Sequence, residues 1–191
     1  MVDIENDLMV SASRDLCAQW YNNHTSTSHG FETKAVQYYF ALTPFVQEKK
    51  TTIIVVGDGP ISKTAMCLCR LGLAHVVSVD PECITSPNKV PEGCEEWLTL
   101  PNLTISPSRV ETMQFPIPTR DFVILSLCAH VELQKYLHKF PTTPNVVITV
   151  ECGCVPQTLT SEECTEYHLQ SLPIHGNKWN YLKRWVKKER K

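Results

Sequence analysis

Short runs of β-branched and apolar residues alternate with stretches of helical spacing along the chain. The runs predict buried strands over residues 53–56, 75–80, 120–130 and 145–153, and a shorter strand within 103–110. The spacing predicts helices over residues 31–48, 61–73, 130–140 and 161–172. This order of elements is typical of an α/β fold, and we expect a Rossmann-like sheet with helices on both faces.

Two of the predicted helices carry boundary signals. Pro44 is expected to end or kink the helix over 31–48, because proline lacks the N–H that a helix interior needs. Ser62 is expected to be the N-cap of the helix over 61–73, and Gly72 its C-cap.

The length and charge of the chain predict its division. The 191 residues suit one domain, and we expect a polar lead-in over 1–30, the Rossmann-like domain over 31–176 and a tail over 177–191. The tail carries seven Lys/Arg and one Glu, whereas the other 176 residues carry 11 Lys/Arg and 19 Asp/Glu. An acidic body is therefore expected to end in a basic segment.

The composition indicates a protein with a full core. Hydrophobic residues make up 42% of the chain and charged residues 20%, which excludes wholesale disorder. No apolar run approaches the roughly 18 residues of a membrane-spanning helix, and the acidic N-terminus lacks a secretion signal. We expect a cytoplasmic protein whose nine Cys are mostly reduced, small core residues.

A glycine loop stands between the first predicted strand and its helix. Its expected binding residues are Gly57, Asp58, Gly59 and Pro60, because glycine permits a tight turn and a close approach of ligand to backbone. Asp80 ends the next strand, 23 residues after Gly57, where a carboxylate can accept hydrogen bonds from the hydroxyls of an adenosine ribose.

Two cofactors use such a loop. A dinucleotide prefers a third glycine where this chain has Ser62, and Asp58 would repel its phosphates. S-adenosylmethionine carries a cationic sulfonium and no phosphate, so we favour it. A glycine turn without any ligand is the third interpretation.

Three segments of the chain resemble one enzyme family. The segments are GDGPIS at the glycine loop, FETKAVQYYFALTPF before the first strand, and PIHGNK at residues 173–178. They resemble viral cap-specific 2′-O-ribose methyltransferases, chiefly the poxvirus enzyme that also serves as poly(A) polymerase processivity subunit. The resemblance covers roughly residues 31–178 and implies a methyltransferase-type sheet, S-adenosylmethionine as methyl donor and capped RNA as substrate.

The resemblance also implies a catalytic Lys–Asp–Lys–Glu set. Lys34 falls at the first lysine, whereas Leu127 stands at the aspartate and either Thr149 or Glu151 at the second lysine. Glu189 is the loose match for the final glutamate. We therefore expect either a diverged RNA methyltransferase assisted by Lys34, or an inactive scaffold that binds RNA or a protein as an accessory subunit. A nucleotide-dependent oxidoreductase is a weaker third hypothesis.

The basic tail predicts contact with a polyanion. Cations neutralise phosphates and the interleaved aromatic rings can stack on bases, so we expect RNA to bind Lys178, Lys183, Arg184, Lys187, Lys188 and Arg190. The alternatives are a basic amphipathic helix on a protein partner or an anionic membrane, and a terminal helix whose Trp residues pack on the domain.

One cysteine cluster raises the question of zinc. The order of Cys152, Cys154, Cys164 and His168 suits thiolate and imidazole ligands, but the first spacing is tighter than a usual zinc knuckle. We therefore predict no metal site.

Overall fold

The computed structural model describes a mixed sheet with helices. The residues that it describes are 38–39, 42–47, 50–73, 75–85, 98–113, 121–127, 130–132, 134–137, 140, 142–150, 167–171 and 182–187. The strands are β1 Thr52–Val56, β2 His75–Val79, β3 Leu103–Ser106, β4 Phe122–Leu127, β5 Val146–Val150, β6 Tyr167–Ser171 and β7 Leu182–Lys187. The helices are α1 Lys63–Arg70 and α2 Gln134–Leu137, together with a 3-10 helix at Thr43–Phe45.

The seven strands form one sheet in the order β3-β2-β1-β4-β5-β7-β6. The first five strands of the chain run parallel to one another, whereas β7 runs antiparallel to both β5 and β6. The chain reverses its direction of winding between β1 and β4, and ligands of open α/β sheets bind outside the carboxyl ends of the strands at such a point.

The five parallel strands follow the predicted runs. Every residue of β1 and β4 is buried, because helices cover both faces of a parallel sheet and leave no face for polar residues. The prediction of strands over 53–56, 75–80, 103–110, 120–130 and 145–153 is confirmed, with each observed strand within or close to its predicted range.

Two predictions for the C-terminal part are wrong. Residues 167–171, expected in a helix, form β6, and residues 182–187, expected in a helix or an arm, form β7. The two strands pair in register from Tyr167 opposite Lys187 to Ser171 opposite Lys183. β7 also pairs with β5, so backbone pairing within the sheet outweighs the local preference of a basic segment.

Two hydrophobic clusters lie on opposite faces of the sheet. The first contains Ile53, Val55 and Leu125 with Ala65 and Leu68 of α1. The second contains the alternate strand residues, with Trp185 of β7 among them, and Leu137 of α2 packs against it. The predicted arrangement of helices on both faces is confirmed.

The segment before β1 is helical only in part. Tyr38 and Leu42 are helical and buried in the first cluster, whereas residues 31–37 lie outside the described part of the chain. Pro44 lies in the first turn of the 3-10 helix. The first turn of a helix tolerates a residue that lacks an N–H group. The predicted break at Pro44 is confirmed.

Helix α1 ends in a Schellman motif. Gly72 adopts a φ of 92°, and its N–H donates to the carbonyl of Cys69 at 3.1 Å. The N–H of Leu73 donates to the carbonyl of Leu68 at 3.2 Å. Glycine is favoured at this place because L side chains rarely take a positive φ, so the predicted stop at Gly72 is confirmed.

None of the helices in the described part of the chain is long and apolar enough to cross a membrane. Cys67, Cys69 and Cys83 are buried and form no disulfide, as expected for small core residues.

Candidate functional site

A pocket opens at the carboxyl ends of β1, β2 and β4, where the sheet reverses its winding. Its cavity has a volume of about 460 Å³, within the usual range for small-molecule sites. Its walls are Val56, Gly57, Val79, Asp80, Pro81, Glu82, Arg109, Val110, Glu111, His130 and Val131. The pocket therefore draws on the segments that follow four different strands.

The glycine loop forms one wall of this pocket. Gly57 and Gly59 have φ values of 77° and 74°, which L side chains rarely adopt. The N–H of Gly57 donates to the carbonyl of Val79 at 3.0 Å, which ties the loop to the end of β2. Of the four predicted loop residues, Gly57 lines the pocket, whereas Asp58, Gly59 and Pro60 lie outside its wall.

Asp80 lines the pocket and also fixes the loops around it. Its Oδ2 accepts the N–H of Gly59 at 3.0 Å, and its Oδ1 accepts the N–H of Glu82 at 2.8 Å. Each carboxylate oxygen has a second lone pair, so both can still accept a hydroxyl of a ligand. Asp80 is thus placed where the sequence predicted it.

Asp58 turns away from the pocket and caps helix α1. Its Oδ1 accepts the N–H of Thr64 at 2.9 Å, and its Oδ2 accepts the N–H of Ala65 at 2.9 Å. Ser62, the predicted N-cap, makes no capping bond with its side chain and adopts a φ of 48°. The predicted N-cap position is confirmed at Ser62, but Asp58 supplies the capping bonds, because its carboxylate accepts the N–H groups of Thr64 and Ala65.

Burial sets the protonation of Asp58. Loss of solvation raises the pKa of its carboxyl from 3.8 to about 6, against the lowering effect of the hydrogen bonds from Ala65, Thr64 and Ser78. The carboxylate therefore carries its charge at neutral pH at a cost, and the positive end of the helix dipole is the place where that charge is best tolerated.

A small polar network lies beneath the glycine loop. The Ser78 hydroxyl donates to Ser62 Oγ at 2.9 Å, and Ser62 Oγ lies 3.3 Å from the sulfur of Cys83. Burial raises the pKa of the Cys83 thiol, so this sulfur is a poor nucleophile. The network joins β2, the loop and the segment after β2 into one unit.

Four charged or titratable side chains line the pocket in addition to the binding residues that the sequence predicted. Glu82 follows β2, Arg109 and Glu111 follow β3, and His130 follows β4. Their positions shortly after predicted strands were a usable signal in the sequence, because the carboxyl ends of parallel strands meet at one edge of a sheet. Residues shortly after each predicted strand were the candidates to test.

Two positions of the expected catalytic set lack the expected groups. Leu127 is buried in the first hydrophobic cluster, and Thr149 is fully buried in β5. Lys34, Glu151 and Glu189 lie outside the described residues.

The predicted RNA-binding residues lie partly on β7. Lys183, Arg184 and Lys187 belong to this strand, and Lys187 is exposed. Lys178, Lys188 and Arg190 lie outside the described residues, as do Cys152, Cys154 and Cys164, while His168 is in β6. Within the described ranges there is no group of three residues that could hold a metal ion.

Comparison with known proteins identifies the class of fold. No protein-family model matches the chain, and no curated protein matches its sequence. A Thermoplasma acidophilum protein is similar in structure with a TM-score of 0.56 at 12% identity, over 92% of this chain and 96% of that one.

Two methyltransferases are also similar in structure. The N-methyltransferase NodS from Bradyrhizobium japonicum gives a TM-score of 0.54 at 9% identity, over 85% of this chain and 99% of that one. The 23S rRNA methyltransferase ErmE gives a TM-score of 0.51 at 11% identity, over 80% of this chain and 67% of that one. The chain therefore has an α/β methyltransferase fold, and the predicted fold class is confirmed.

Proposed function

We propose that the protein binds S-adenosylmethionine in this pocket and transfers its methyl group to RNA, at a ribose 2′-hydroxyl next to the cap. When bound, the cofactor supplies an electrophilic methyl group on a cationic sulfur. The residues of the chain supply binding, orientation and proton transfer.

The position of Asp58 is the observation that carries this proposal. In dinucleotide-binding sheets the pyrophosphate lies on the N-terminus of the helix after the glycine loop. Here a carboxylate takes the N–H groups of Thr64 and Ala65 at that place. A phosphate group there would meet a negative charge and two N–H groups that already donate to it, whereas a ligand without phosphate meets no such conflict.

The charge of the pocket supports the same ligand. Asp80, Glu82 and Glu111 bring three carboxyl groups to the wall, against the single guanidinium of Arg109. Carboxylates attract the sulfonium and ammonium groups of S-adenosylmethionine and repel polyphosphates. We expect Asp80 to accept the ribose hydroxyls, because it follows β2 and lines the same pocket as Gly57.

Capped RNA as the substrate is supported by the sequence resemblance and by the basic C-terminal segment. Lys187 is exposed on β7, and Lys188 and Arg190 follow it in the chain. Because β7 runs antiparallel to β5, Lys187 lies at the amino end of β5, at the opposite end of the sheet from the pocket. RNA whose phosphates bind there would have to extend along the sheet to bring its end into the pocket.

A second function is favoured by the expected catalytic positions. Leu127 and the buried Thr149 cannot provide the aspartate and lysine that the resemblance implies. An inactive accessory subunit that binds RNA or a protein is therefore the second candidate. It requires the fold and the basic segment but no methyl transfer.

A transfer assay separates the two functions. The protein is incubated with S-adenosylmethionine labelled in its methyl group and with short RNAs that carry or lack a cap. Label on the ribose of capped RNA, lost in Asp80→Ala, is the expected result. RNA that is bound but never labelled would favour the accessory subunit.

A further inference from the structure

We infer that His130 is the catalytic residue that takes the proton from the acceptor hydroxyl during methyl transfer. The inference rests on the proposed function, because it assigns a role within the same pocket. In this role His130 supplies the base that the buried residues Leu127 and Thr149 cannot provide.

The order of the strands places His130 at the reactive end of the pocket. The pocket walls follow the strands in the order β3, β2, β1 and β4, and they contain in turn Glu111, Asp80, Gly57 and His130. A ligand whose ribose contacted Asp80 and whose methionine part passed Gly57 would reach toward His130. In that orientation the sulfonium would be held on the β4 side, and the acceptor would bind there as well.

The other acid–base groups of the pocket lie on the far side of β1. Glu82 follows β2, Glu111 follows β3, and both oxygens of Asp80 already accept backbone N–H groups. Among the described residues that line the pocket, His130 is the one acid–base side chain that follows β4.

The surroundings leave the imidazole accessible. His130 is exposed, and its neighbour Val131 forms an apolar part of the same wall. The nearby carboxylate of Glu132 is 3.3 Å from the ammonium of Lys135, so α2 holds that acid in an ion pair. Histidine is the side chain that most often serves as a general base.

The step balances without another reactant. The acceptor O–H gives its proton to an imidazole nitrogen of His130, and the oxygen electron pair forms a bond to the methyl carbon. The bond between carbon and sulfur breaks, and its electron pair stays on sulfur. The products are a methyl ether, S-adenosylhomocysteine and a protonated His130.

The first test does not depend on turnover. The wild-type protein is treated with diethyl pyrocarbonate with and without S-adenosylhomocysteine, and modification of each histidine is followed by peptide mass spectrometry. His130 should be modified at least fivefold more slowly with the ligand, whereas His75, at the start of β2 and away from the pocket wall, should not change. Ligand binding without protection of His130 would overturn the inference and leave the proposed function intact.

The second test measures proton transfer. His130→Asn should keep the affinity for S-adenosylhomocysteine within about twofold and lose transfer by about 10²- to 10⁴-fold, the usual contribution of a general base. Added imidazole should restore part of the rate in His130→Ala, which a structural role would not allow. Glu132→Gln is the matched control and should act like wild type.

Each remaining outcome counts against the inference. Transfer by His130→Asn within threefold of wild type would overturn it. A wild-type protein that binds the ligand but transfers no methyl group would also overturn it, in favour of the accessory subunit. A wild-type protein that does not bind the ligand would overturn the proposed function itself, and the inference with it.

Discussion

The carboxylate of Asp80 accepts the N–H of Gly59 at 3.0 Å, so the acid that follows β2 fixes the glycine loop that follows β1. The same carboxylate accepts the N–H of Glu82 at 2.8 Å. One side chain therefore sets the shape of two walls of the pocket and still offers lone pairs to a ligand.

The buried carboxyl of Asp58 predicts a dependence of stability on pH. Its pKa is raised from 3.8 to about 6, so the folded state binds its proton more tightly than the unfolded state. The contribution of Asp58 to stability should then fall as pH rises from about 4 to about 6 and stay constant above that window. The free energy of unfolding should fall by at most about 3 kcal/mol, because each unit of difference in pKa corresponds to about 1.4 kcal/mol.

Urea denaturation of wild type and Asp58→Asn between pH 4 and pH 7 measures this effect. The asparagine keeps an oxygen for the N–H of Thr64 but cannot ionise. We expect wild type to lose stability relative to the variant as pH rises. A difference that stays constant with pH, or that grows in favour of wild type, would show that Asp58 is not the titrating group.

The end of helix α1 predicts the effect of a substitution at Gly72. A Cβ at this glycine would meet no atom within 4 Å, so the positive φ alone sets the cost. Gly72→Ala should lower the free energy of unfolding by about 1 kcal/mol. Gly72→Asn is the matched control and should lose less, because asparagine tolerates this conformation better. Equal losses in the two variants would contradict this explanation.

The cap that Asp58 provides predicts that the pocket rejects dinucleotides. Because Thr64 and Ala65 donate to a carboxylate, NADH and NADPH should show no binding at millimolar concentration in calorimetry. The same preparation titrated with S-adenosylhomocysteine is the positive control. Micromolar binding of either dinucleotide would instead support an oxidoreductase.

The basic segment predicts a binding to RNA that weakens with salt. Its deletion is not a suitable test, since Leu182–Lys187 is a strand in the interior of the sheet. The triple variant Lys187→Gln, Lys188→Gln and Arg190→Gln should make the slope of log K against log salt concentration shallower by about 2. This value follows because each phosphate contact to a single strand contributes about 0.7 to the slope. The exposed Lys135→Gln is the control. An unchanged slope in the triple variant would exclude these side chains from the contact.

The parts of the fold that could be predicted from the sequence are those fixed by burial on both faces. The apolar, β-branched runs of β1, β4 and β5 are typical of parallel strands that are buried on both faces. β6 and β7 could not be predicted in this way, because their strand form depends on pairing with each other and with β5. Basic and polar residues in these strands carry no period that indicates a sheet.

The candidate site divides in the same manner. Gly57 and Asp80 were predicted because a local pattern of strand, loop and helix defines them. Glu111 and His130 come from segments after β3 and β4, which only the strand order brings to the same pocket. The capping role of Asp58 was missed because its bonds reach six and seven residues along the chain.

The most direct test of the account is calorimetric titration of the protein with S-adenosylmethionine and S-adenosylhomocysteine. We predict micromolar binding of both ligands that is lost in Asp80→Ala and kept in Glu132→Gln, which lies outside the pocket wall. The thermal unfolding of each variant shows whether it is folded at the temperature of the titration. No binding of either ligand by folded wild-type protein would contradict the account.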